Sequence, residues 1–226
     1  MTSIFQFAFS SPVEGMEEEF QRWYSNDHLQ HSVKLPVVSA GQRFQRAVGS
    51  PWPAGRHDNL VIWELAGDPA KAIETLLASH DTEAMPISPA IDMSSVQPPT
   101  MALLRRLVGS EEAAPAAATR GALLLAFINP VEGEEIALED ALLHSGIETF
   151  AALPGAGAVS VWKTTDAQLR GSARKYRFLV MFEAEDDAQL VAALSQSGDR
   201  LAAIPHSDPQ RMFAAVYQPI TERVAG

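Results

Sequence analysis

The chain contains no cysteine. That excludes disulfides, thiolate metal sites, iron–sulfur clusters and a cysteine nucleophile. Cations are scarce: 17 Lys and Arg stand against 28 Asp and Glu, a formal charge of −11. A surface this acidic repels phosphate backbones and anionic lipid, so neither a nucleic acid nor a membrane is an expected partner. No apolar run approaches the roughly 20 residues a spanning helix needs. The opening residues, MTSIFQFAFSSP, carry no basic segment of the kind that begins a secretory signal. A cytoplasmic protein is the expectation. Phosphate-binding loops, dinucleotide-binding glycine fingerprints and serine-nucleophile elbows are also lacking, and no cofactor is expected. The chain is rich in apolar residues, 46% of 226, enough for one large domain or two small ones.

Taken in order, the pattern alternates between strand and helix signals. Ile4–Phe9 is a β-rich run, followed by a turn at Pro12-Val13-Glu14-Gly15 and a helix opening in Glu17-Glu18-Glu19, acids that suit the positive end of a helix dipole. Strands are expected over 39–48 and 59–66, separated by a Pro- and Gly-rich loop at 50–55. Asp68 is placed to cap a helix over 69–79, with Pro69 at its first position. Residues 85–99 read as irregular, and 100–108 as a fourth strand.

After a linker at 109–119 the pattern starts again. Ala126-Phe127-Ile-Asn-Pro130-Val131-Glu132-Gly133 repeats Ala8-Phe9-Ser-Ser-Pro12-Val13-Glu14-Gly15 at an offset of 118 residues, and Leu153-Pro154 repeats Leu35-Pro36 at the same offset. Strands over 178–184 and 211–218 and a helix over 187–197 complete the second copy. Such a repeat governs the reading of the fold. Each half is β-α-β-β-α-β, the ferredoxin-like α+β unit. Two tandem units, 1–108 and 120–226, are expected to pair their sheets face to face into an intrachain, pseudo-dimeric α+β barrel. The chain would then be a monomer, or a homodimer built on outer surfaces.

The helix over 19–36 carries the candidate site. At about 100° per residue Phe20, Tyr24, Asp27, His31 and Leu35 share one stripe, with Trp23 and His28 at its flanks. A core-facing stripe bearing a phenol, a carboxylate and imidazoles must be hydrogen-bonded or face a cavity. At the 118-residue offset the same positions become Leu138, Ala141, Leu142, Ser145, Gly146 and Thr149. One half keeps the polar groups and the other has lost them, as expected for one functional cavity and one filled counterpart. The other four histidines read as isolated surface or loop residues. No third ligand accompanies His28 and His31 for a metal.

The turn at 12–15, the run Phe20-Gln-Arg-Trp23-Tyr24-Ser-Asn-Asp27-His28 and the exit Leu35-Pro36 resemble the EthD-like family of the dimeric α+β barrel superfamily, here as a tandem fusion. Val37 departs from that family, which often has glycine there. The resemblance implies a cofactor-independent enzyme, of lyase, isomerase or oxygenase type, acting on a small apolar or aromatic carbonyl or phenolic compound. His28 would be the general acid or base and Tyr24 a donor to an oxygen that gains charge. Asp27 or His31 would orient His28, while Phe20, Trp23 and His31 would bind the substrate. Two other readings stay open: a non-catalytic ligand-binding or stress-related barrel, and a haem-binding barrel using His28 or His31 as axial ligand.

Overall fold

Alternation in the first strand sets the plan. In Ile4–Pro12 (β1), Phe5, Phe7 and Phe9 lie on one face and Ile4, Gln6, Ala8 and Ser10 on the other, and all seven are buried. A strand covered on both faces belongs to the middle layer of a fold. The structure, a computed structural model, describes residues 3–50, 57–108, 111–112, 121–151, 157–171, 176–184 and 186–226.

The first half continues with helix α1 (Glu17–Trp23), a π-helical turn (Tyr24–His28) and helix α2 (Leu29–Ser32). Strands β2 (Val38–Arg46) and β3 (Asn59–Leu65), helix α3 (Pro69–Ser79) and strands β4 (Ile91–Gln97) and β5 (Thr100–Val108) follow. After a two-residue strand β6 (Glu111–Glu112) come β7 (Ala122–Ile128), α4 (Glu135–Ala141), a second π-helical turn (Leu142–Gly146) and α5 (Ile147–Ala151). The chain ends with β8 (Ala158–Thr164), β9 (Phe178–Ala184), α6 (Asp187–Ala202), β10 (Phe213–Pro219) and β11 (Val224–Ala225). Asp68 caps α3 as its sequence implies, accepting a hydrogen bond from the Lys71 amide at 3.0 Å.

The strands pair as β5-β1-β3-β2 in the first half and β10-β7-β9-β8 in the second, antiparallel throughout. The two four-stranded sheets face each other, and they also join edge to edge. β2 pairs with β10, and β5 with β8. Eight strands therefore close on themselves, which removes the unpaired edges that invite aggregation. This is the tandem ferredoxin-like, pseudo-dimeric α+β barrel.

Three apolar cores result. Phe5, Phe7, Phe9 and Phe44 meet Leu123, Leu125, Phe127 and Trp162 inside the barrel. Outside it, each half packs its helices on its own sheet: Phe20, Trp23, Tyr24 and Leu29 over Val61 and Trp63 in the first, Leu138, Leu142 and Phe150 over Val180 and Phe182 in the second.

Two readings change. The stretch 85–99, expected to be irregular, contains β4, which pairs with β1 beyond a register shift. Its Pro and Ser residues suit an edge strand, the place where a sheet tolerates proline. His57, expected on the surface, sits at the barrel end against Phe9 and Phe213, with its Nε2 3.2 Å from the Tyr176 hydroxyl. Most of the loop expected at 50–55, most of the linker and the Leu153-Pro154 exit lie outside the described residues.

Candidate functional site

The site begins with a departure from regular helix. Between Trp23 and Leu29 the backbone opens into one π turn, in which the Leu29 amide donates to the Tyr24 carbonyl five residues back. A π turn holds more residues than an α turn, so it rotates everything after it. The positions following Tyr24 on the inner face are therefore His28 and Leu29, then Ser32 and Val33, all buried. Asp27, expected on the inward stripe, is turned out and exposed. The second half makes the same turn, with the Ile147 amide donating to the Leu142 carbonyl. The turn is thus a property of the fold in both halves. What differs is the side chains it aims inward.

In the first half they face a cavity between helix and sheet. It encloses about 80 Å³ within about 640 Å³ of empty space that includes its open mouth. Trp23, Tyr24, His28 and Ser32 form the helical wall; Gln6, Ala8 and Trp63 form the sheet floor. Leu76 and His80 come from α3 and its end. The stretch around β4 supplies Met85, Ile87, Ile91, Met93, Val96 and Pro98, and the second half adds Leu169 and Arg170. An apolar pocket with a few converging polar groups is the usual form of a small-molecule site.

His28 is the most deeply perturbed titratable group on its wall. The ring is 8% exposed and lies between Trp23, Tyr24 and Trp63, at centroid distances of 4.6, 4.9 and 5.9 Å. Burial is the main cause that drives its pKa down to about 4, and the neighbouring His80 adds to it; a hydrogen bond to the Pro86 backbone opposes them. The imidazole is therefore neutral at pH 7. Its Nδ1 is buried with no hydrogen-bond partner, and so is Ser32 Oγ on the same wall. Buried polar atoms are rarely left so without a reason.

Tyr24 stands beside it, and burial raises its phenol pKa against the pull of Arg43 and Ser10. The phenol stays protonated and remains a donor. Behind Tyr24 lies Arg43, a fully buried guanidinium on β2. Its Nη1 donates to the Gln21 carbonyl at 3.1 Å and to Ser25 Oγ at 2.5 Å, its Nη2 to Gln21 Oε1 at 2.6 Å, and its carbon sits 4.8 Å from the Tyr24 ring centroid. Burial lowers its pKa to about 10, so it is still charged at neutral pH. The result is a row of Arg43, Tyr24 and His28 ending at the cavity.

Of the residues the sequence singled out, Trp23, Tyr24 and His28 line the cavity. Phe20 is fully buried but packs edge-on behind Tyr24, with centroids 5.3 Å apart. Asp27 and His31 are not part of the wall; His31 Nδ1 lies 2.8 Å from the Asp27 carbonyl oxygen on the outer side. Sequence reasoning missed Gln6, Ser32, Arg43, Trp63, His80 and Arg170. Arg43 left no distinguishing signal, since the strand sequence around it also carries Gln42, Gln45 and Arg46. Among the described residues no group of three or more His, Asp or Glu is placed to hold a metal ion.

The second half has filled the corresponding space. At the 118-residue offset Ser32 becomes Phe150, Gln6 becomes Leu124 and Arg43 becomes Val161, all buried in one apolar cluster. Phe150 packs edge-on against Phe182, centroids 5.4 Å apart.

No protein-family profile matches the chain, and no curated protein matches it. Solved structures do. An anthrone oxidase-like protein aligns with a TM-score of 0.68 at 10% identity, over 99% of this chain and 93% of its own. A candidate monooxygenase from Fusobacterium nucleatum aligns with a TM-score of 0.59 at 10% identity, over 100% and 95%. A candidate chlorite dismutase aligns with a TM-score of 0.54 at 12% identity, over 98% and 96%. At such identities the likeness is one of fold, that of the dimeric α+β barrel proteins.

Proposed function

We propose that the first-half cavity binds a small, flat, largely apolar compound bearing a hydroxyl or an enolisable carbonyl, and that His28 and Tyr24 act on it by proton transfer without a cofactor. The observation that carries this reading is the buried, unpartnered Nδ1 of His28, a residue of the largely apolar cavity wall. With the ring's other nitrogen engaged by the Pro86 backbone, Nδ1 is the lone pair offered to a ligand proton. A base with a pKa of about 4 is weak while the cavity is empty. Its weakness comes chiefly from burial, and an anion formed beside it stabilises the imidazolium in a medium of low dielectric. The base therefore strengthens as the substrate gives up its proton. Tyr24 supports the charge that forms. A delocalised anion of this kind is the species that reacts with O₂ in cofactor-free oxygenation. The names of two fold relatives, anthrone oxidase-like and candidate monooxygenase, agree with that outcome. The EthD-like resemblance of the helix motif points the same way.

The test uses 2-naphthol and 2-methoxynaphthalene, which differ in the donor proton. Calorimetry should show the naphthol binding about tenfold tighter, roughly 1.4 kcal/mol, and His28→Leu should erase the difference. Equal affinities in the unaltered protein would refute the role of Nδ1. Oxygen uptake on anthrone, abolished by His28→Leu, would support turnover. Binding without uptake on this or related hydroaromatics would leave a non-catalytic binding barrel.

A further inference from the structure

The cavity is walled by both halves. Leu169 and Arg170, on the segment after β8, reach over the first half and close one side of its pocket. Arg170 is half-buried, and its Nη1 donates to the Met93 carbonyl at 2.7 Å. That bond fixes the planar group at the wall and leaves further N–H donors on the same fork. Among the described residues Arg170 has no carboxylate partner. Among the described residues it is also the one lining residue with a permanent charge, and none of the described lining residues is acidic. In a chain carrying −11, a wall whose described residues include one guanidinium and no carboxylate is a local reversal of sign. A guanidinium fork matches a carboxylate in shape as well as in charge.

We propose that the ligand of this cavity is an amphiphilic anion. Its flat apolar body lies against the apolar side chains around β4, its carboxylate meets Arg170, and a hydroxyl at the far end meets His28 Nδ1 and Ser32 Oγ. The proposal rests on the reading of the cavity as the ligand site. It also gives the second half a task. With its own helix–sheet space filled by Phe150 and Phe182, that half serves the first by presenting the charge that selects the ligand.

Calorimetry with two probes tests this: 6-hydroxy-2-naphthoate, with hydroxyl and carboxylate at opposite ends, and 2-naphthol, without the carboxylate. The unaltered protein should bind the naphthoate at least tenfold tighter. Arg170→Gln should reduce that preference to less than twofold by weakening the naphthoate alone, and Arg170→Lys should keep a preference that falls with added salt. Equal binding of the two probes by the unaltered protein overturns the anion proposal and leaves the cavity reading intact. So does a preference that survives Arg170→Gln. Equal weakening of both probes by Arg170→Gln would make the arginine a structural tie to Met93, which also overturns it. If neither probe binds, the cavity reading fails with it.

Discussion

At the scale of the residue, the proposed base His28 has a measurable energetic signature. Its pKa is about 4 in the folded protein and about 6.5 in the unfolded chain. The unfolded state binds the extra proton between those values, so the neutral imidazole's contribution is complete above pH 6.5 and is lost as pH falls toward 4. The expected loss is about 2 kcal/mol between pH 7 and pH 5. Carboxylates titrate in the same range, so the measurement is the difference between the unaltered protein and His28→Gln in urea unfolding at the two pH values. The variant should show the shallower dependence, and parallel behaviour would mean that His28 titrates normally. A second residue controls the floor of the cavity. A methyl group placed at Gly41 would lie 2.5 Å from the Trp63 ring and 2.9 Å from Leu29 Cδ1. Gly41→Ala should push Trp63 toward the cavity and weaken 2-naphthol binding severalfold, with a stability loss of about 1–3 kcal/mol. Unchanged affinity by calorimetry would show that Trp63 does not shape the binding space.

At the scale of the element, the helix over 17–32 shows what the sequence made legible and where it misled. Trp23 and Tyr24 were readable as inward residues because apolar side chains recur there at helical spacing. Asp27 was placed inward and His28 at the edge because a period of 3.6 was carried through the whole segment. The π turn breaks that period. Its trace is present in the sequence: the inward pairs fall at 23/24, 28/29 and 32/33, a step of five followed by a step of four. The second half steps likewise by five, from Leu142 to Ile147. Cavity residues contributed by distant parts of the chain, Gln6 and Trp63 on strands and Arg170 on the segment after β8, left no local signal, since only the closed fold brings them together. The two halves also provide their own control. Ser32→Phe gives the first half the residue its counterpart has, Phe150. It should abolish 2-naphthol binding while leaving stability unchanged or raising it by about 1 kcal/mol, since it fills empty apolar space. Retained binding in a folded Ser32→Phe variant would place the ligand elsewhere.

At the scale of the whole molecule, the seams between β2 and β10 and between β5 and β8 explain why a chain with such different halves holds together. Each half-sheet offers two edges, and each edge is satisfied by the other half. The order β-α-β-β-α-β in each half, and hence the barrel, was readable from the 118-residue repeat. That the sheets join at their edges was not, because nothing in a strand's sequence names its neighbour. Residues 1–108 and 121–226, produced separately, are expected to recombine into a 1:1 complex by native mass spectrometry; two independently stable, non-associating pieces would show that the seams matter little. The central claim is an asymmetric one, a single ligand site beside His28 in a pseudo-symmetric barrel. The six histidines are spread over both halves, so one experiment reads the whole molecule: imidazole ¹⁵N spectra of histidine-labelled protein titrated with 2-naphthol at pH 7. His28 should begin as a neutral ring with an unprotonated Nδ1, and that nitrogen should move on saturation, while His144 and His206 of the second half stay fixed. A His28 that is protonated near neutrality, or an Nδ1 signal that does not respond to saturating ligand, would contradict the account.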